Sequence, residues 1–205
     1  MSAPPRSHIP KISELPLELA TERLTLRPYT LDDVEMLWPH VSDPRLPKQM
    51  SWNAHGSKDE TRAFLETCIK GIADNTGIVW AIEHAGDFVG AIGLHGIKYQ
   101  FAAWRLDRAE LGYWVGIPFH RNGYMTEAAA EVVRFGFDTL GLHKITVGCL
   151  EGNVGSRKII ERLGFRFIGQ HEDDVWRDEA WHAHLRYELL ASSYSDITTT
   201  MPVRR

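Results

Sequence analysis

The chain is 205 residues long and 43% hydrophobic, enough for one sizeable core and one globular domain. Its 23 Lys and Arg against 27 Asp and Glu give a formal net charge of −4, without the basic excess of a protein that holds free nucleic acid through its phosphates. No stretch of about 18 apolar residues occurs, and positions 1–10 show no apolar signal core, so the sequence predicts no membrane span and no secretory leader, and a cytoplasmic location.

Residues 1–20 are proline-rich and aperiodic and read as an extended arm. Alternation over 23–27 predicts a first strand, and Thr30 supplies an N-cap for a helix toward Trp38 that Pro39, Pro44 and Pro47 should end. Ser57 three residues ahead of Glu60 is a capping-box arrangement, followed by Phe64, Leu65, Cys68, Ile69 and Ile72 at helical spacing. Apolar runs over 78–83 and 88–95, joined by His84-Ala85-Gly86-Asp87, predict an antiparallel hairpin. A strand over 108–117 leads through a polar glycine turn into a helical pattern from Met125 to Leu140. A β-branched strand over 144–150, a helix over 153–163 and strands opening at Phe165 and Trp181 complete the domain at residue 191, before a Ser/Thr-rich tail over 192–205. The order predicts a mixed α/β domain with a largely antiparallel sheet.

Cys68 and Cys149 are too few for a disulfide framework and are expected as buried free thiols. His182 and His184 would share one strand face, but no third ligand stands at zinc-like spacing, so no metal is expected. The chemical signal is the segment from His120 to Thr126, where a glycine turn feeds a helix. A helix start leaves backbone N–H groups unpartnered and carries positive dipole, which suits an anion.

Four ordered blocks carry a resemblance over residues 23–190: Glu22-Arg23-Leu24-Thr25-Leu26-Arg27-Pro28, Glu110-Leu111-Gly112-Tyr113-Trp114-Val115, the segment from His120 to Ala128, and Asn153 with Ser156 followed by Glu161-Arg162-Leu163-Gly164-Phe165. The chain resembles the GNAT acyltransferases, within them the ribosomal-protein N-terminal acetyltransferases. That implies a GNAT fold: a mixed, mostly antiparallel twisted sheet with helices on both faces, and a cofactor cleft where the strand ending at Val115 splays from the strand over 144–150. The family's pyrophosphate loop, Gln/Arg-x-x-Gly-x-Gly/Ala, is matched at Gly123, with His120 and Met125 in place of its first and last positions. The resemblance implies cofactor contacts from His120, Arg121, Asn122, Gly123, Tyr124, Met125 and Thr126, and pantetheine contacts from Val115 and Asn153, the latter also readable as a helix N-cap.

The reaction implied is direct attack of a primary amine on the thioester of acetyl-CoA, which needs a base and an acid. Glu110 matches the family's proton-accepting glutamate. Ile160 occupies the place of the family's usual acidic tyrosine, and Ser156, like the serine of the ribosomal-protein subgroup, is the expected donor to the thiolate. Tyr113, Trp114 and Trp52 are candidates to line the acceptor site or simply to fill core. The acceptor stays open between a protein N-terminus and a small amine, since Ala183 stands where the subgroup often has aspartate. Another acyl donor such as succinyl-CoA, a non-catalytic CoA-binding regulator and a homodimer also stay open.

Overall fold

Eight strands form one sheet in the computed structural model, which describes residues 4–194: β1 (Leu19–Ala20), β2 (Thr25–Pro28), β3 (Ile78–His84), β4 (Asp87–Phe101), β5 (Trp104–Val115), β6 (Lys144–Leu150), β7 (Arg166–Arg177) and β8 (Ala180–Leu190). Their spatial order is β1-β2-β3-β4-β5-β6-β8-β7. Every neighbouring pair is antiparallel except β5 with β6. Ala85 and Gly86 both take positive φ, 51° and 89°, in the β3–β4 turn, as a two-residue hairpin whose twist matches its strands requires. A parallel pair needs a crossover, and α3 (Tyr124–Arg134) supplies it between β5 and β6.

Strand alternation divides the core. On one face Ile92, Leu111, Ile145 and Val147 pack under α3, with α4 (Val154–Arg162) contributing Ile160. On the other, Val79, Ala91 and Trp114 pack against α1 (Val34–Val41) and α2 (Lys58–Ala73) through Leu37, Val41, Leu65 and Cys68. Helices therefore cover both faces, as the sequence predicts. Ser57 caps α2 by accepting from the Glu60 N–H (3.2 Å), while the Glu60 carboxylate accepts from the Gly56 N–H (2.7 Å), one residue before the cap.

Two expectations are corrected. Helix α1 continues through Pro39 to Val41, because the proline costs one backbone bond while Leu37 and Val41, buried on either side of it, hold the helix to the core. Strands β4 and β5 run on to Phe101 and back from Trp104, past the expected limits at 95 and 108. Register shifts between His95 and Lys98 and between Lys98 and Gln100 break the alternation there that a strand reading relies on. The arm is packed: Ile12 is fully buried with its N–H on the Asn75 side-chain oxygen (2.7 Å), and Arg6 donates to the carbonyls of Thr139 (3.1 Å) and Asp138 (2.6 Å). Of the expected tail, residues 195–205 lie outside the described residues.

Arg27 joins three segments, holding both carboxylate oxygens of Asp33 (2.8 and 2.9 Å) and one of Glu83 (2.8 Å). Burial pushes the Asp33 carboxyl up, but the Arg27 and Thr30 hydrogen bonds outweigh it and hold it below its ordinary 3.8. A depressed folded value means stability present above the unfolded value and lost as pH falls through the folded one. Asp33→Asn should cost about 2 kcal/mol at pH 7, and in denaturant titrations the gap from wild type should close as pH drops below 3.8.

Candidate active site

The β5–β6 pairing runs from Arg108 opposite Lys144 to Leu111 opposite Val147 and stops. Beyond it, residues 112–115 pair only with β4, and residues 148–150 only with β8. The two strands therefore part, and their facing edges present backbone N–H and C=O groups to a cavity of about 1280 Å³ lined from both sides. This is the splay implied by the resemblance, with Val115 at its β5 end. An extended amide-bearing ligand can pair with such an edge as an added strand does.

The loop between β5 and α3 borders the same cavity. Arg121 and Gly123 take φ of 66° and 78°, and Gly123 is the N-cap of α3, with no side chain satisfying the first-turn N–H groups. A Cβ on Gly123 would meet only Arg23, at 3.6 Å, so the glycine is required by its backbone angle and leaves open approach to those N–H groups. Arg23 pins the loop: it donates to the Asn122 carbonyl (3.2 Å), lies over the Tyr124 ring (4.9 Å) and pairs with Glu127 (2.6 Å). Glu127 also accepts from Thr21 (2.5 Å). Burial pushes the Glu127 carboxyl up, and the Thr21 and Arg23 hydrogen bonds outweigh this and lower it.

Of the residues expected to meet the cofactor here, His120, Arg121, Gly123, Tyr124, Met125 and Thr126 line the cavity and Asn122 does not. Met125 is buried in the core, so it can offer only backbone. His120 Nε2 bonds the Val115 carbonyl (3.0 Å), and the Asn122 amide bonds the Phe119 carbonyl (3.2 Å). Thr126 lines the cavity.

On the α3/α4 face, Asn153 caps α4 by accepting from the Ser156 N–H (3.0 Å), and both residues line the cavity, so the capping role and the cavity position coexist. The Ser156 hydroxyl is 2.9 Å from that of Tyr113. Burial pushes Tyr113 up to about 12 although Ser156 opposes the shift, so the phenol keeps its proton at neutral pH. The Cys149 thiol, also lining the cavity, is raised by burial and partly opposed by Ser156. Both cysteines are free and buried.

On the α1/α2 face stand Glu110, paired with Arg186 from β8 (3.4 Å), and His95, its register partner on β4. Trp52 and Trp114 meet edge to face (6.2 Å) and line the cavity on this side. The cavity thus passes through the gap in the sheet, with Glu110 on one face and Ser156 on the other. Tyr113, open between lining the acceptor site and filling core, packs against the core on the α4 side and also borders the cavity. His95, Cys149 and the Arg23–Glu127 pair were not predicted. Among the described residues no three His, Cys, Asp or Glu side chains group as a metal site, and no helix is long and apolar enough to cross a membrane.

An open, mixed sheet with one interrupted parallel pair beside a glycine-started helix is the fold and cleft that the resemblance to acyltransferases implies. The chain belongs to the GNAT acetyltransferases: the family model "Acetyltransferase (GNAT) domain" matches residues 23–166. It is 30% identical over 154 residues to the uncharacterized N-acetyltransferase YoaA of Bacillus subtilis (strain 168), covering 74% of this chain and 84% of that one. YdaF of the same organism, provisionally assigned as a ribosomal N-acetyltransferase, is 28% identical over 175 residues, 82% of this chain and 92% of the relative. A solved structure of RimL, a ribosomal L7/L12 alpha-N-protein acetyltransferase in complex with coenzyme A, shares the fold with a TM-score of 0.76 at 17% identity, covering 85% of this chain and 96% of that one. The activity class is acyl-CoA-dependent N-acetyl transfer.

Gly123→Val forces a branched side chain into a left-handed backbone, costing about 1–2 kcal/mol, and fills the approach to the α3 N–H groups. Calorimetry should show CoA affinity reduced about tenfold or more in a variant that still unfolds cooperatively.

Proposed function

We propose that the protein acetylates a primary amine by direct attack within a ternary complex in the cytoplasm, and that a protein or peptide N-terminus is the first acceptor class to test. The observation that carries this reading is the cavity through the sheet gap, which gives acyl donor and amine a meeting point between two chemically different walls. The ribosomal assignment of YdaF and the RimL fold likeness support the peptide acceptor.

Arg121, Gly123, Tyr124 and Thr126 hold the donor's phosphates through the start of α3, and the parted edges of β5 and β6 take its amide-bearing arm. Glu110 draws the cationic amine to the α1/α2 face, where the amine's proton leaves through a relay beside the carboxylate. The amine lone pair forms the new N–C bond as the C–S bond breaks. Ser156 gives the leaving sulfur a proton and is restored by the second proton that the nitrogen sheds through solvent on becoming an amide, while Tyr113 holds the Ser156 hydroxyl in place.

A panel of α-amine peptides and small amines, with acetyl-CoA and succinyl-CoA as donors, tests the reading through release of free thiol. Amine-dependent release from acetyl-CoA is expected; CoA binding with no release for any amine would defeat it. Ser156→Ala should lower kcat about a hundredfold with CoA affinity unchanged, and Tyr113→Phe should lower it less. Glu110→Gln should raise KM for the amine, an effect that shrinks at high pH, where the amine loses the charge the carboxylate attracts.

A further inference from the structure

We propose that His95 is the base of this site, taking the proton of the acceptor amine while Glu110 beside it stabilises the imidazolium. The inference deepens the transferase reading and rests on it. Three geometrical facts carry it. First, His95 lies opposite Glu110 in the antiparallel β4–β5 register, on the cavity wall that also carries Trp114, and both side chains line the cavity. Second, the sheet leaves the imidazole its place: a Cβ on Gly93 would come within 2.9 Å of His95 Nε2, and one on Gly112 within 3.1 Å, so glycines at both sites form the trough in which the ring lies. Third, a bulge begins immediately after it. Gly96, at φ 54°, and Ile97 stand against the single Ala109 of β5, and such bulges turn a side chain away from regular pleating.

The ring is also chemically available. The rings of His55, His84, His120, His182 and His184 each have a hydrogen-bond partner, whereas His95 has none among the described residues. Although His95 is exposed at the cavity mouth, the surrounding sheet desolvates its ring and lowers the imidazole below the ordinary 6.5, with Glu110 partly opposing, which leaves it neutral at pH 7 and able to take a proton. Glu110 is the charged group acting on it. Arg186 of β8 is engaged with Glu110, while Arg45, Lys48 and His184 border the same cavity, and β3 and α2 present the uncharged Val79 and Phe64. In the step, the bound ammonium gives one proton to an imidazole nitrogen. Its freed lone pair closes the N–C bond, the C–S pair leaves with sulfur and takes the Ser156 proton, the nitrogen sheds its second proton through solvent to restore Ser156, and the imidazolium returns its own proton to solvent.

The test uses the full chain with acetyl-CoA and a peptide amide bearing a free α-amine, following kcat/KM against pH. Wild type should show an acid limb below 6.5. In His95→Ala the reaction needs free amine from solution, so the limb should move up to the amine's own value of about 8, with kcat/KM reduced about a hundredfold at pH 7 and CoA affinity retained. Added imidazole should restore part of the loss in His95→Ala and leave His95→Gln unchanged. Gly112→Ala should impair turnover by displacing the ring, and this cost should vanish in the His95→Ala background. Wild-type turnover and limb in His95→Ala, or a pH-independent loss without rescue, would overturn the proposal. If wild type releases thiol with no amine at all, the transferase reading fails and takes this inference with it.

Discussion

A parallel strand pair that ends after four residues governs this molecule. Backbone N–H and C=O groups at residues 112–115 and 148–150 face each other across a gap too wide to pair, and unpaired groups of this kind carry a desolvation cost unless water or a ligand satisfies them. Each parted strand stays paired on its other side, β5 with β4 and β6 with β8. A Cβ on Gly90 would lie 2.3 Å from the Trp114 carbonyl oxygen, and one on Gly148 would lie 2.4 Å from the His184 ring, so glycine is needed where each strand is packed closest beside the gap.

The same gap separates charge. A carboxylate in the first turn of α3 favours the helix dipole yet would repel an anionic ligand at that end. Arg23, 2.6 Å from Glu127, neutralises it while also holding Asn122 and Tyr124, so the loop is braced without a bare carboxylate at the start of α3. On the far face Glu110 keeps a negative charge shared with Arg186. In the proposed reading, an anionic donor and a cationic amine are sorted by these charges to opposite walls of one opening.

How far the sequence discloses this depends on whether a feature is local. Gly123 ahead of an amphipathic run and Asn153 three residues before Ser156 act within one turn, and both positions are recognisable without tertiary knowledge. The splay came only with the resemblance, because strand periodicity carries no information about where a neighbour departs. Tyr113 meets Ser156 across 43 residues, so its hydroxyl partner is invisible to spacing. His95 ends an apolar run just before a glycine, where a bulge looks like the end of a strand; the continuation of β4 to Phe101 was lost for the same reason.

The departures of the loop from the family pattern have a common physical explanation. His120 puts its ring on the Val115 carbonyl, Asn122 bonds Phe119, and Met125 lies in the core, so these three side chains brace the segment. In the proposed reading the ligand-facing work falls to main-chain N–H groups, which every residue type except proline provides. A position at which only the backbone meets the ligand tolerates substitution as long as the backbone keeps its angles. Gly123 is the place where that tolerance ends, because its φ of 78° is costly for any residue with a Cβ. His120 adds one further link: its bond to Val115 ties the glycine turn before α3 to the last residue of β5, so the loop and the parted strand edge keep a fixed spacing.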